Sequence, residues 1–241
     1  MLAEKTQSDA GAVGVQTRAA ELLHASKVYG SFAALRDVSV AFPAGSCTMI
    51  LGENGAGKST LLRMVAGLIE PTHGTVQAFG AAPNAQRDRI GYMSHAPMLY
   101  DELSAMENLE YFANLSAGGA CDCVGSPLMA LRAVGLDPDL KRPVGQYSQG
   151  MRQRTSMARV LQSDPELMLL DEPFSNLDIE SVQMMVGLIA DFRTWPTMGG
   201  GKRTVILTTH QPQLAEAIAD VTLHMRSGRI FGREVQGGAK T

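Results

Sequence analysis

The stretch that most limits what this chain can fold into is Gly52-Glu53-Asn54-Gly55-Ala56-Gly57-Lys58-Ser59-Thr60. It fits the phosphate-loop pattern G-x-x-x-x-G-K-[ST]. An apolar run, Cys47-Thr48-Met49-Ile50-Leu51, precedes it and reads as a buried strand. Leu61-Leu62-Arg63-Met64-Val65-Ala66 follows and reads as a helix. The plain alternative is a glycine-rich turn with a chance lysine; the strand–loop–helix context favours the phosphate loop. Glycines let the backbone wrap closely enough for several N–H groups to face one anion, and the helix start adds its positive dipole end. In such a loop Lys58 reaches the β- and γ-phosphates, and the Ser59 hydroxyl sits on Mg²⁺.

A length of 241 residues allows one large domain or a core with a subdomain, and a hydrophobic share of 45% supplies a real core. A net charge of −3 gives no basis for a nucleic-acid partner. Three cysteines, Cys47, Cys121 and Cys123, make no disulfide framework and point to a reducing compartment. Cys121-Asp122-Cys123 has the look of half a metal site, but no second Cys/His pair accompanies it. No apolar run approaches the ~18 residues that cross a bilayer, and the small, polar first residues are unlike a signal peptide. Work at a membrane would then require another chain to hold this one there.

Residues 1–18 lack periodicity and are expected to form a disordered tail, and 235–241 a C-terminal tail. Ordered structure is expected from Ala19, with a strand at Ala20–Ala25, a turn at Val28-Tyr29-Gly30 and an antiparallel strand at Val38–Phe42. Two antiparallel strands ahead of a phosphate loop suggest a small β-layer packed on the nucleotide core. Thr75–Phe79 and Ile90–Ser94 read as strands. From about 96 to 165 the pattern turns helical. Ser104 and Glu107 form a capping box, Pro127–Val134 is a second helix, and Met151, Arg154, Met157, Val160 and Leu161 mark a third. Leu167-Met168-Leu169-Leu170-Asp171 suits a central parallel strand. A helix at Ser181–Phe192, a loop at Thr194–Gly201, a strand at Thr204–His210, a helix at Pro212–Ala219 and a closing hairpin complete the chain.

Asp171 stands at the C-terminal end of its strand, where open α/β sheets place ligands. A carboxylate there holds Mg²⁺ opposite Ser59, and Glu172 next to it is placed to polarise a water as general base. An acidic strand end alone would mean little; paired with the phosphate loop it supplies the other half of an Mg²⁺-nucleotide site. Tyr147-Ser148-Gln149-Gly150-Met151 opens the third helix. Ser148 is either a simple N-cap or part of a second anion-binding helix start, which in two facing copies would close over the nucleotide.

The order of these motifs resembles that of ATP-binding-cassette (ABC) ATPases, from about Ala19 to Phe231. The resemblance implies an α/β fold: a P-loop NTPase core with an antiparallel β subdomain and an inserted α-helical subdomain, the whole spanning 19–234. It implies that Tyr29 stacks on adenine. Gly52, Asn54, Gly55, Gly57, Lys58, Ser59 and Thr60 form the first nucleotide motif. Ser148 and Gly150 carry the family signature, Asp171 and Glu172 end the second nucleotide motif, Asp178 lies in the loop that crosses a dimer interface, and His210 contacts the γ-phosphate. Three departures stand out. Tyr147, Gln149 and Met151 replace usual signature residues. His95 occupies the place of a glutamine that touches Mg²⁺ and couples to a transmembrane partner; a neutral imidazole offers one hydrogen bond there. Met93-Ser94 just before it also differs. Ser94-His95-Ala96-Pro97 with Leu99–Ser104 is similar to ATP-binding subunits of haem exporters used in cytochrome c maturation.

The expected activity is ATP hydrolysis with ATP and Mg²⁺, by an ATPase subunit that dimerises and powers a separate transmembrane permease. Lys58, Glu172 and His210 carry the chemistry. Ser59, Asp171 and His95 face the metal. The expected location is cytoplasmic, on the inner face of the cell membrane. The alternatives are a soluble ATP-driven regulatory module, a weakly hydrolysing subunit that pairs with a different cassette, and a subunit of another exporter.

Overall fold

The chain opens as a hairpin. β1 (Arg18–Tyr29) and β2 (Phe32–Pro43) pair antiparallel across Gly30-Ser31. β3 (Cys47–Leu51) leads through the phosphate loop into α1 (Lys58–Val65), and β4 (His73–Ala78) returns to pair with β1, so the first sheet has the order β2-β1-β4. β5 (Ile90–Met93) is followed by α2 (Ala105–Leu115), α3 (Pro127–Ala133) and α4 (Gln149–Leu161). β6 (Leu167–Asp171), α5 (Ile179–Thr194), β7 (Thr204–Thr209), β8 (Val221–Arg226) and β9 (Arg229–Val235) complete the chain. The second sheet has the order β5-β6-β7-β3-β8-β9 and is parallel except for β9. This computed structural model describes residues 17–115, 126–197 and 199–236. Cys121-Asp122-Cys123 lies outside them.

The period-two alternation of the central strands assigns each side chain to one of two cores. Met168 and Leu170 of β6, Val205 and Leu207 of β7 and Met49 of β3 face a cluster shared with α2, α3, α4 and α5. Leu167, Leu169, Ile206 and Ile50 face the other side, where Leu61, Leu62, Met64 and Val65 of α1 pack between this sheet and Leu22, Leu35 and Phe42 of the antiparallel sheet. Each such buried side chain contributes about 2 kcal/mol by leaving water. α1 is thus clamped between two sheets, which fixes the loop that starts it.

Sequence expectation and structure differ at four places. β1 runs through Val28 and Tyr29, and the turn falls on Gly30, whose φ is 57°. At the two ends, Arg18 is already paired with Pro43 and Val235 with Val221, so both belong to strands, not to tails. Pro212–Ala219 is not a helix: a short 3-10 turn, Pro212–Leu214, gives way to further turns. Tertiary ties pull that segment out of helical register. Arg193 donates to the carbonyl of Ile218 (2.9 Å), and Asp220 both accepts from the Cys47 N–H (2.7 Å) and donates its own N–H to the Cys47 carbonyl (2.8 Å).

The end of the sheet opposite the phosphate loop is pinned by one buried cation. Arg203 donates to the carbonyls of Pro165 (2.6 Å), Pro196 (3.0 Å) and Trp195 (3.3 Å) and to Asp164 Oδ1 (2.6 Å). Its guanidinium also lies 5.2 Å from the centre of the Phe192 ring. Arg203→Met would leave those acceptors without a donor. We expect unfolding in urea to show a loss of about 3 kcal/mol. Nucleotide affinity of the folded fraction should be unchanged.

Candidate nucleotide site

The C-terminal ends of β3, β6 and β7 meet at one edge, because Leu51 pairs in register with Thr209 and Asp171 with Thr208. Gly57 enters α1 with φ at 102°, and a Cβ there would lie 2.6 Å from the Ala34 carbonyl oxygen, so the position admits only glycine. No side chain caps α1, which leaves its first N–H groups facing the loop. Lys58 is buried; its ammonium donates to the carbonyls of Gly52 (2.6 Å) and Glu53 (3.3 Å). Asn54 and Gly55 form the exposed crest of the loop, and Ser59 and Thr60 begin the helix half-buried.

Asp171 shares the strand face of Leu167 and Leu169, which is the face turned to α1. There its Oδ1 accepts from Ser59 Oγ (2.9 Å) and from Thr208 Oγ1 (2.9 Å). The residue is 1% exposed and has no ion pair among the described residues. A buried carboxylate without a counter-ion, beside a hydroxyl, is a donor set of hard oxygens suited to Mg²⁺.

Glu172 follows with φ at 54°, a strained value for a side chain of this size. Its N–H donates to Thr208 Oγ1 (3.0 Å), which holds the bend. The bend turns the carboxylate between two cationic or cation-capable groups: Oε1 lies 3.5 Å from Lys58 Nζ and Oε2 lies 2.9 Å from His210 Nδ1. Tyr29, at the end of β1, is 49% exposed, with Lys27 Nζ 5.3 Å from its ring centre. His95 lies exposed on the loop after β5 and makes no hydrogen bond to the described residues, so it is not held against Ser59 or Asp171.

A family model described as "ABC transporter" matches residues 35–175. The chain belongs to the ABC transporter ATP-binding family. It is 35% identical over 205 residues to the ABC transporter ATP-binding protein NatA of Bacillus subtilis (strain 168), covering 83% of this chain and 81% of that protein. It is 34% identical over 219 residues to the phosphonates import ATP-binding protein PhnC of Halobacterium salinarum, covering 85% of this chain and 74% of that one. The fold matches the dimeric post-hydrolysis state of the ATP-binding cassette MJ0796 bound to ADP and Pi, with a TM-score of 0.81 and 25% identity, over 91% of this chain and 100% of that one. The chain is an ATPase with the ABC cassette fold, mixed α/β with one antiparallel and one largely parallel sheet.

The remaining cassette motifs lie at helix starts. Ser148 is exposed, and its hydroxyl accepts from the Met151 N–H (3.2 Å) as the N-cap of α4. Asp178 caps α5 by accepting from the Ser181 N–H (2.7 Å), and that bond holds its carboxyl below the usual aspartate range. The two helix starts touch: a Cβ on Gly150 would lie 2.7 Å from Ser181 Oγ. Neither start is joined to Lys58 or Asp171 within the chain.

Two residues escaped the sequence reading. Thr208 binds Asp171 and Glu172 at once, and its only signal was a hydroxyl just after the apolar run Val205-Ile206-Leu207. Asn108 is fully buried and binds the backbone of Tyr100, Leu103 and Ser104, which fixes the loop before α2. The capping box read from the sequence is present there, with the Ser104 N–H donating to Glu107 (2.8 Å) and the Glu107 N–H to Ser104 Oγ (3.2 Å).

The cap geometry makes Ser148 testable. Ser148→Ala should lower stability by about 1 kcal/mol in urea, while Ser148→Gly should cost only a few tenths. Equal losses in the two variants would show that the hydroxyl does not act as a cap.

Proposed function

We propose that this chain is the ATP-hydrolysing subunit of a transporter in which two copies close head to tail on two Mg²⁺-ATP molecules and drive a separate membrane permease. The observation that carries the reading is the placement of Glu172. Its carboxylate lies between Lys58 and His210, two groups suited to a γ-phosphate. Arriving triphosphate would take both and free Glu172 for a water. That water attacks the γ-phosphorus and loses its proton to Glu172, and the bond to the β,γ-bridging oxygen breaks to release ADP. Ser59 and Asp171 would hold Mg²⁺, which supplies charge neutralisation to the phosphates. Tyr29 would stack on the adenine. The loop from Gly52 to Thr60 would wrap the phosphates. Ser148 and Gly150 of one copy would cover the nucleotide of the other, with Asp178 at the crossing. Positioning and electrostatics then supply most of the rate.

Exposed apolar side chains on and before α2 support a permease dock next to His95. Met98, Tyr100, Tyr111 and Leu115 are 53%, 45%, 41% and 63% exposed. Asn108 holds that loop rigid. No helix among the described residues is long and apolar enough to cross a membrane, so the membrane span belongs to the partner in this reading. The chain would sit on the inner face of the cell membrane. The Ser94-His95-Ala96-Pro97 loop supports haem export for cytochrome c biogenesis as the specific task.

Glu172→Gln should keep ATP binding and lower kcat by about 10²–10⁴-fold, measured as phosphate release; near-native turnover would remove Glu172 from this role. Tagged chain purified from native membranes should bring down a multi-span permease. Recovery with a haem-export permease supports the haem task, and recovery with another permease alone rejects it. An active homodimer with no membrane partner would favour a regulatory module.

A further inference from the structure

Asp171 Oδ1 is saturated by Ser59 and Thr208, but its Oδ2 is buried with no complete hydrogen bond. A second buried oxygen with the same deficit, Tyr92 Oη, belongs to the neighbouring strand. Tyr92 of β5 pairs in register with Leu169 of β6, and Asp171 lies two residues beyond Leu169 on the same face. Tyr92 packs into the α1-side core with Leu169. Arg63 stands on α1 four residues after Ser59, hence one turn along the same side of that helix. The Tyr92 hydroxyl neighbours both the Arg63 guanidinium and the Asp171 carboxylate, and neither contact amounts to a full hydrogen bond.

The chemistry of the three groups leaves one direction. A guanidinium only donates, an ionised carboxylate only accepts, and a phenol has one hydrogen. Tyr92 therefore accepts from Arg63 and spends its single hydrogen on Asp171 Oδ2. We infer that Arg63 and Tyr92 form a positioning relay that fixes the rotation of the Asp171 carboxylate for the metal. The need for it arises on loading. When the Ser59 hydroxyl turns from Asp171 to a cation, Oδ1 loses one of its two donors. The relay then keeps the carboxylate plane in place from the other oxygen. Tyr92 and Arg63 touch neither nucleotide nor metal in this role and act through Asp171.

The inference rests on the Mg²⁺-ATP reading above, and the experiment separates the two. Binding of a fluorescent trinitrophenyl-ATP to full-length chain is titrated against Mg²⁺ and repeated in EDTA, with thermal unfolding recorded alongside. Tyr92→Phe should raise the Mg²⁺ concentration for half-maximal binding by about tenfold, as loss of an outer partner of a metal ligand does. Binding in EDTA should stay within about twofold of native by the same argument, since nothing that touches the nucleotide has changed. Arg63→Met, which has no donor, should move Mg²⁺ dependence in the same direction, and Arg63→Lys, which still donates, should restore most of it. An unchanged Mg²⁺ midpoint in Tyr92→Phe overturns the relay. So does an equal loss with and without Mg²⁺, which marks a packing defect. If the native chain itself binds the probe without Mg²⁺ dependence, the failure lies with the metal reading instead.

Discussion

The nucleotide site depends on one buried carboxylate at the end of β6. Asp171 is enclosed by α1 on one side and β7 on the other, and its Oδ1 gathers hydroxyls from both. The strand period fixes which way it points: Leu167 and Leu169 on the same face are packed under α1, so Asp171 faces the first turn of that helix. A one-residue slip of β6 against β7 would send Asp171 into the helical side of the core and bring Leu170 to the loop. The apolar burial on both faces makes such a slip costly, so the same side chains that stabilise the sheet also aim the carboxylate.

Glu172 inverts that logic. The strand ends at Asp171, and the strained backbone at the next residue turns Glu172 along the sheet edge and not into a core. Thr208 joins the two residues, accepting from the Glu172 N–H and donating to Asp171. One side chain on β7 therefore couples the placement of the Asp171 carboxylate to that of the proposed base. The carboxylate's position between Lys58 and His210 satisfies one buried group and one half-exposed group at the sheet edge. In the proposed reaction nucleotide would replace those contacts, so part of its binding free energy would go into repositioning Glu172.

The sequence displayed the parts of this design that are local. The glycine spacing of the phosphate loop, the apolar run ending in Asp171 and the Ser104–Glu107 box are all readable over a few residues, and each lies where expected. What was not legible needs register or tertiary contact. Thr208 matters because it pairs with Asp171 across strands, and 37 residues separate the two in sequence. Tyr92 reads as one more aromatic in a strand until its neighbour Leu169 is known. Pro212–Ala219 has helical composition, but the hold of Arg193 on Ile218 and of Cys47 on Asp220 just beyond it outweighs so short a propensity.

α4 is the element through which the outer surface can reach the chemistry. At its start, Gly150 packs on Ser181 and so on the cap made by Asp178. Along its length, Gln153 is buried and donates to the carbonyl of Pro173, the residue after Glu172 (3.2 Å). Near its end, Arg159 donates to the carbonyl of Tyr92 (3.3 Å). Arg152 ties it outward, by an ion pair with Asp101 (2.7 Å) and a bond to the Val144 carbonyl (3.2 Å). Asp101 lies in the loop that Asn108 braces, between the exposed side chains of Met98 and Tyr100 and the start of α2. A displacement of that loop would reach α4 as well as α2, and α4 meets the backbone beside Glu172 at one point and the strand beside β6 at another. A side-chain network confined to loops would lose such a displacement in local rearrangement. A helix with buried anchors at both ends carries it as a rigid body.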